Sequence, residues 1–91
     1  MPLYVRTLLV TGPPDEVEAA AIRHREHLRE LGAAGRIRAA GEFPNGDGFL
    51  EIFEAGDRLE AESIAGSSPL IADGLGTWML REWIELDLGT G

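Results

Sequence analysis

The chain opens on a run in which Leu3, Val5, Thr7 and Leu9 alternate with Tyr4, Arg6, Leu8 and Val10. This pattern predicts a strand from Leu3 to Thr11, stopped by Gly12-Pro13-Pro14. Both alternation phases are largely apolar, the signature of a strand covered on both faces. Arg6 is the exception. It reads as a charge near the sheet end or paired with a carboxylate, or as a ligand contact. The period then changes. At about 100° per residue, Val17, Ala20, Ala21, His24, Leu28 and Leu31 fall on one stripe, and His27 lies at its margin beside Ala20 and Leu31. That stripe predicts a helix from Asp15 to Leu31. Pro14-Asp15-Glu16 suits its first turn, and Gly32 suits the position just past its end.

Alternation returns from Arg36 to Phe43, where Ile37, Ala39, Gly41 and Phe43 interleave with Arg38, Ala40 and Glu42. Pro44-Asn45-Gly46-Asp47-Gly48 is a hairpin signal, because Asn and Gly tolerate positive φ. The returning strand, Phe49 to Glu54, sets Phe49, Glu51 and Phe53 against Leu50, Ile52 and Glu54. Asp57 to Ala65 predicts a short helix with a thin apolar side, broken by Gly66-Ser67-Ser68-Pro69. Leu70-Ile71-Ala72 predicts one further helical turn before the loop Asp73-Gly74-Leu75-Gly76. A last strand is expected from Thr77 to Asp87, with Trp78 and Trp83 in opposite phases: one under the helices, the other on the far face or lining a cleft. Leu88 to Gly91 is expected to be a frayed tail.

The predicted order is β-α-β-β-α-β in one domain spanning residues 1–91, the split βαβ of a ferredoxin-like α+β fold with a four-stranded antiparallel sheet. Both helices then cover one sheet face. The other face carries apolar residues from several strands and is bare in a monomer. Packing against a second copy, as a homodimer forming a closed α+β barrel, is the simplest way to cover it, with room for a small molecule in the interior or in a cleft.

Composition removes whole classes of function. The chain has 91 residues and a net charge of −8, and its eight basic residues are all Arg. No basic patch is visible for a phosphate backbone or an anionic bilayer, so neither nucleic acid nor membrane is an expected partner. No apolar run approaches the roughly 18 residues of a membrane span. The N-terminus lacks a basic segment followed by an apolar one, so the expected location is the cytoplasm. With no Cys there is no thiolate nucleophile and no Cys-ligated metal. With no Lys, a Schiff base would need the N-terminal amine. No cofactor motif occurs and none is expected.

Proton transfer at neutral pH therefore rests on His24, His27, Tyr4 and the carboxylates. The two histidines are three apart and so neighbours on one helix face. A His in mid-stripe, such as His24, is also what a hydrogen-bonded core residue looks like. Two His with a carboxylate can hold Zn or Fe, but no third ligand stands at a telling spacing, and no metal is expected. No serine sits in a nucleophile-elbow motif, which argues against a hydrolase.

His27-Leu28 followed by Leu31, Gly35-Arg36-Ile37, Ala40-Gly41-Glu42-Phe43 and Asn45-Gly46-Asp47-Gly48 resembles the YCII-related (YciI-like) family. So do Ser68-Pro69, Gly74-Leu75 and Leu80-Arg81-Glu82-Trp83. The series runs through nearly the whole chain in order. A more distant similarity is to muconolactone isomerase. The resemblance implies a dimeric α+β barrel and a site built on a helix histidine, here His27, supported by an Asp just before a Pro. Some such relatives are lyases or dehalogenating enzymes on hydroxylated aromatic or quinone-like compounds. The chain departs in two places: Ser68 precedes Pro69 where the family has Asp, and His24 stands where Arg is usual. A neutral Ser68 would stabilise an imidazolium less than a carboxylate does; Glu42, Asp47 or Asp73 are candidate replacements. The expected catalytic residues are thus His27 and His24, with Ser68, Arg6 and Glu42 as substrate contacts. Two functions stay open: a cofactor-independent lyase or isomerase moving a proton on a cyclic or aromatic metabolite, and a non-catalytic dimeric ligand-binding or accessory module.

Overall fold

A computed structural model describes residues 1–89. Thr90 and Gly91, the last two residues of the predicted tail, lie outside them. Four strands, β1 (Leu3–Val10), β2 (Ile37–Glu42), β3 (Gly48–Glu54) and β4 (Gly76–Trp83), form one sheet in the order β2-β3-β1-β4. All neighbours are antiparallel. Helices α1 (Pro14–Ala33), α2 (Arg58–Gly66) and the single turn α3 (Pro69–Ala72) complete the chain. This is the predicted ferredoxin-like α+β arrangement, and the strand apolar in both phases, β1, is central.

Local chemistry explains the boundaries. Pro14 opens α1 with Asp15 and Glu16 in its first turn, where acids oppose the helix dipole. The helix runs past Gly32, correcting the expected stop. Its end is Gly35, with φ +76°. Gly35 N–H bonds the Gly32 carbonyl and Arg36 N–H bonds the Leu31 carbonyl, both at 3.0 Å. That pair of bonds is the Schellman closure, which needs a left-handed residue that only glycine supplies without strain. Asp57 caps α2 by accepting from Glu60 N–H at 2.8 Å. Ser68 caps α3, with Pro69 at the first helical position. Strand β4 ends at Trp83 rather than Asp87. Its neighbour β1 begins at Leu3, which pairs with Trp83; Pro2, which would come opposite Ile84, has no N–H to donate and gives its carbonyl to Ala55 N–H.

The helix-facing side of the sheet holds two separate apolar clusters. One gathers Tyr4, Phe53, Ala55, Ala61, Ala65 and Leu80. The other gathers Leu8, Ala20, Ala21, Phe49, Leu70 and Leu75. Trp78 packs against both; Trp83, in the other phase, is half-buried. On three elements the chain passes from one cluster to the other across a buried polar residue: Arg6 between Tyr4 and Leu8, Glu51 between Phe49 and Phe53, Ser68 between Ala65 and Leu70. The opposite sheet face keeps Leu3, Val5, Leu50 and Ile52 half-exposed and Leu9 and Met79 exposed. No helix of the described residues is long and apolar enough to cross a membrane.

Candidate functional site

The two lone charges on apolar strand faces meet. Arg6 of β1 and Glu51 of β3 are direct cross-strand partners. Arg6 Nε donates to Glu51 Oε1 at 2.5 Å, and Arg6 Nη1 donates to the Ala65 carbonyl at the end of α2 at 2.6 Å. The second carboxylate oxygen faces His24 of α1, whose Nε2 lies 3.3 Å from Glu51 Oε2. The other ring nitrogen, Nδ1, is 2.7 Å from Ser68 Oγ. Arg6 is 1 % exposed; His24, Glu51 and Ser68 are 0 % exposed. A buried ion pair persists only when its remaining hydrogen-bonding capacity is met, and here Ala65 and His24 meet part of it.

The network also sets the His24 tautomer. Leu70 N–H donates to Ser68 Oγ at 3.2 Å. The Glu51 carboxylate can only accept, so the ring nitrogen that faces it, Nε2, carries a proton, and Ser68 Oγ can give its own proton to Nδ1. Ser68, His24 and Glu51 thereby stand in the connectivity of a nucleophile, a base and an orienting acid. The sequence showed no such series. Complete burial of all three keeps reagents from Ser68 Oγ, and the Ser68 side chain is used to cap α3 and to join it to α1.

His27, one turn further on, is half-buried. Its ring centroid is 6.1 Å from that of His24. Its Nε2 is shielded from solvent and has no hydrogen-bond partner among the described residues. Burial is the main cause holding its pKa below the usual 6.5. The positive Arg6 and then His24 add to this, while Glu30 and Glu51 pull the other way. His27 is therefore held in its basic, neutral form at pH 7.

The five residues singled out from sequence divide accordingly. Arg6, His24 and Ser68 are joined through Glu51, and His27 borders them. Glu42 stands apart. It is exposed on β2 and accepts from Arg25 Nη2 at 2.9 Å. The carboxylates expected to compensate at Ser68 do not reach a histidine: Asp73 pairs with Arg23 at 2.6 Å, and the hairpin residue Asp47 engages β1 through its carbonyl, accepting from Val10 N–H. Glu51 was missed, although a single acid between Phe49 and Phe53 on one strand face was the signal. Two clefts flank Arg25. One of about 520 Å³ lies between the start of α1 and the Asn45–Asp47 hairpin. One of about 170 Å³ is lined by Leu28, Ala40, Glu42 and Phe49. Neither histidine lines them, but Phe49 connects the smaller one to the network: its ring meets the His24 ring edge-on at 4.5 Å. The described residues hold no cluster of three metal-ligating side chains.

The chain, with two helices on one face of a β2-β3-β1-β4 antiparallel sheet, has a ferredoxin-like α+β fold. Solved structures with the same fold include 5-chloro-2-hydroxyhydroquinone dehydrochlorinase (TftG) from Burkholderia phenoliruptrix AC1100, in complex with 2,5-dihydroxybenzoquinone. It is 19% identical, with a TM-score of 0.61 over 88% of this chain and 93% of that one. PA3566 from Pseudomonas aeruginosa is 14% identical, with a TM-score of 0.61 over 94% and 95% of the two chains. No protein-family model matches the chain. In sequence it is 33% identical over 60 residues, 66% of this chain and 71% of the relative, to the uncharacterized protein YjpA of Bacillus subtilis (strain 168). The chain belongs to the family of YjpA.

Proposed function

We propose that the protein is a YciI-like enzyme that moves a proton on a small cyclic or aromatic metabolite, of the hydroxylated-ring or quinone type, in a lyase or isomerase reaction. The observation that carries this reading is His27 Nε2: a buried ring nitrogen with no hydrogen-bond partner among the described residues, on a histidine held in its basic form. A base must present a free lone pair to the proton it takes. His27 accepts a proton from a ring carbon or hydroxyl, and elimination or a double-bond shift follows. His24 is a positioning residue, since both its nitrogens are occupied. It packs beside His27 and is itself fixed by Ser68 and by Glu51 with Arg6. The fold shared with a dehydrochlorinase bound to a dihydroxybenzoquinone supports the substrate class. The apolar second face of the sheet supports a homodimer.

The test is ligand binding and turnover with phenols, hydroxyquinones and lactones, on wild type and His27→Ala. The expected result is a ligand-induced rise in melting temperature for wild type and turnover lowered by roughly 10²–10⁴-fold in the variant. Turnover that ignores the substitution refutes the role of His27. A second reading, a non-catalytic dimeric ligand-binding or accessory module, is favoured by Ser68 before Pro69 and by the saturated, fully buried His24. It predicts binding with no turnover of any compound in these classes.

A further inference from the structure

Arg6 is not fully used by the contacts that hold it. A guanidinium carries N–H donors on all three of its nitrogens. Nε goes to Glu51 and Nη1 to the Ala65 carbonyl, while Nη2 has no hydrogen-bond partner among the described residues. Such a donor is costly to leave unmet in a core. Nor is it sealed in. Among the described residues that are not exposed, His27 Nε2 is the one fully shielded side-chain nitrogen or oxygen without a hydrogen bond. Solvent therefore reaches Nη2, although Arg6 as a whole is 1 % exposed. The layer above the sheet explains the opening. Helix α1 lies against α3 and β2, and α2 lies against β4, while α1 and α2 scarcely approach one another. Arg6 stands at that seam, joined to the end of α2 through Ala65 and to α1 through Glu51 and His24. His27 packs beside His24 on α1, and the Arg6 charge is among the causes that keep it neutral. The seam thus brings together a nitrogen that can take a proton and a cationic nitrogen that can only donate hydrogen bonds.

We propose that Arg6 Nη2 is the oxyanion-binding group of the His27 site, and that the substrate is a ring whose acidic C–H is conjugated to a carbonyl or quinone oxygen. This rests on the reading of His27 as the base and adds to it the place where the negative charge goes. The C–H bond breaks and its proton passes to His27 Nε2. The electron pair moves through the ring to the oxygen, which becomes an enolate held by the two N–H groups of Nη2. In an isomerisation the pair returns to a different ring carbon, which takes the proton back from Nε2. In an elimination the pair expels a leaving group from the neighbouring carbon, and the proton passes to water. Glu51 already balances the guanidinium, so a neutral carbonyl gains little on binding. The developing enolate gains much more, because the donors are fixed in place and poorly screened. A ring without such an oxygen gives the electron pair nowhere to go.

The experiment compares wild type, His27→Ala, Arg6→Lys and Arg6→Met/Glu51→Leu, the last replacing the whole ion pair by apolar groups so that a folded protein without the guanidinium is in hand. One readout is binding of para-nitrophenolate against para-nitroanisole, a ring of the same shape with no anionic oxygen, followed by absorbance. The other is deuterium uptake from heavy water into the ring C–H of γ-crotonolactone, followed by NMR. Wild type is expected to prefer the phenolate and to catalyse the exchange. Both Arg6 variants should lose at least ~10-fold of that preference while still binding the anisole, and their exchange should fall by roughly 10²–10³-fold. His27→Ala should keep the preference and lose the exchange. Arg6 variants with wild-type preference and exchange overturn the role of Arg6 and leave His27 standing as the base. Phenolate and anisole binding lost in step make Arg6 a structural residue and overturn the assignment as well. A wild type that neither binds the phenolate nor exchanges the lactone overturns both readings.

Discussion

Replacing Glu51 by Gln tests whether the buried quartet is what joins the two apolar clusters. The amide keeps the size of the carboxylate and removes its charge. Arg6, 1 % exposed and always charged, then retains the Ala65 carbonyl and a neutral amide oxygen as partners. The amide nitrogen faces the Nε2–H of His24, donor against donor, unless His24 changes tautomer and gives up the Ser68 proton. Removing one member of a buried ion pair costs about 3–5 kcal/mol. A domain of this size has a total stability of roughly 5–13 kcal/mol. The expected loss is therefore about 3 kcal/mol or more, and a fall in Tm of roughly 15 °C or more. Urea unfolding followed by Trp fluorescence and circular dichroism, at fixed protein concentration, measures it. Arg6→Met/Glu51→Leu removes both charges and fills the space, so it should recover most of the loss. A Glu51→Gln variant within about 1 kcal/mol of wild type at unchanged m-value would refute the reasoning.

Ser68→Ala removes the α3 cap and the Nδ1 partner of His24 together and should cost about 1–3 kcal/mol by the same unfolding measurement. Gly48→Ala should be more damaging than its chemistry suggests, because a Cβ there runs into the Leu8 carbonyl oxygen of the neighbouring strand; a loss of about 2 kcal/mol or more is expected. His27 is held below its usual pKa, so the unfolded chain binds its proton more tightly than the folded one. Stability from this group is complete above pH 6.5 and is lost as pH falls below it toward the folded value. Thermal unfolding between pH 5 and 8 should show that slope in wild type and a weaker one in His27→Gln.

Periodicity carried the element order because β1, β3, β4 and α1 each bury one phase or stripe, and burial leaves its mark on sequence. It was weaker at ends, where hydrogen bonding decides. Gly32 and Gly35 are equally plausible helix stops by composition; only the Leu31 and Gly32 carbonyls that receive the closing bonds select Gly35. Ile84 and Leu86 continue a strand pattern, yet the strand ends at Trp83, because the next residue of the neighbouring chain is Pro2, which cannot donate to a ladder. At the site, Arg6 was visible as a lone charge on an apolar strand, with a carboxylate among its expected partners, and Glu51 was the same kind of signal on β3. What joined them was strand register, which puts residues 6 and 51 opposite one another and which no local pattern encodes. His24 looked like a core residue and is fully buried; its hydrogen bonds to Ser68 and Glu51 depend on how α1 and α3 seat on the sheet.

The quartet also bears on how the chain folds. Its hydrogen bonds join residues 27, 44, 45 and 59 positions apart in sequence. None closes within one hairpin or one helix. A partly assembled chain, with β1 paired to β3 but α1 or α2 still loose, would hold Arg6 and Glu51 in a half-dry environment without His24 or the Ala65 carbonyl. Such species carry the desolvation cost of the charges with only part of the compensation, so they are disfavoured relative to both the open chain and the finished fold. Four polar side chains set between two apolar clusters thus make assembly all-or-none: the clusters cannot settle separately, and the domain gains cooperativity from the place where its core is least hydrophobic.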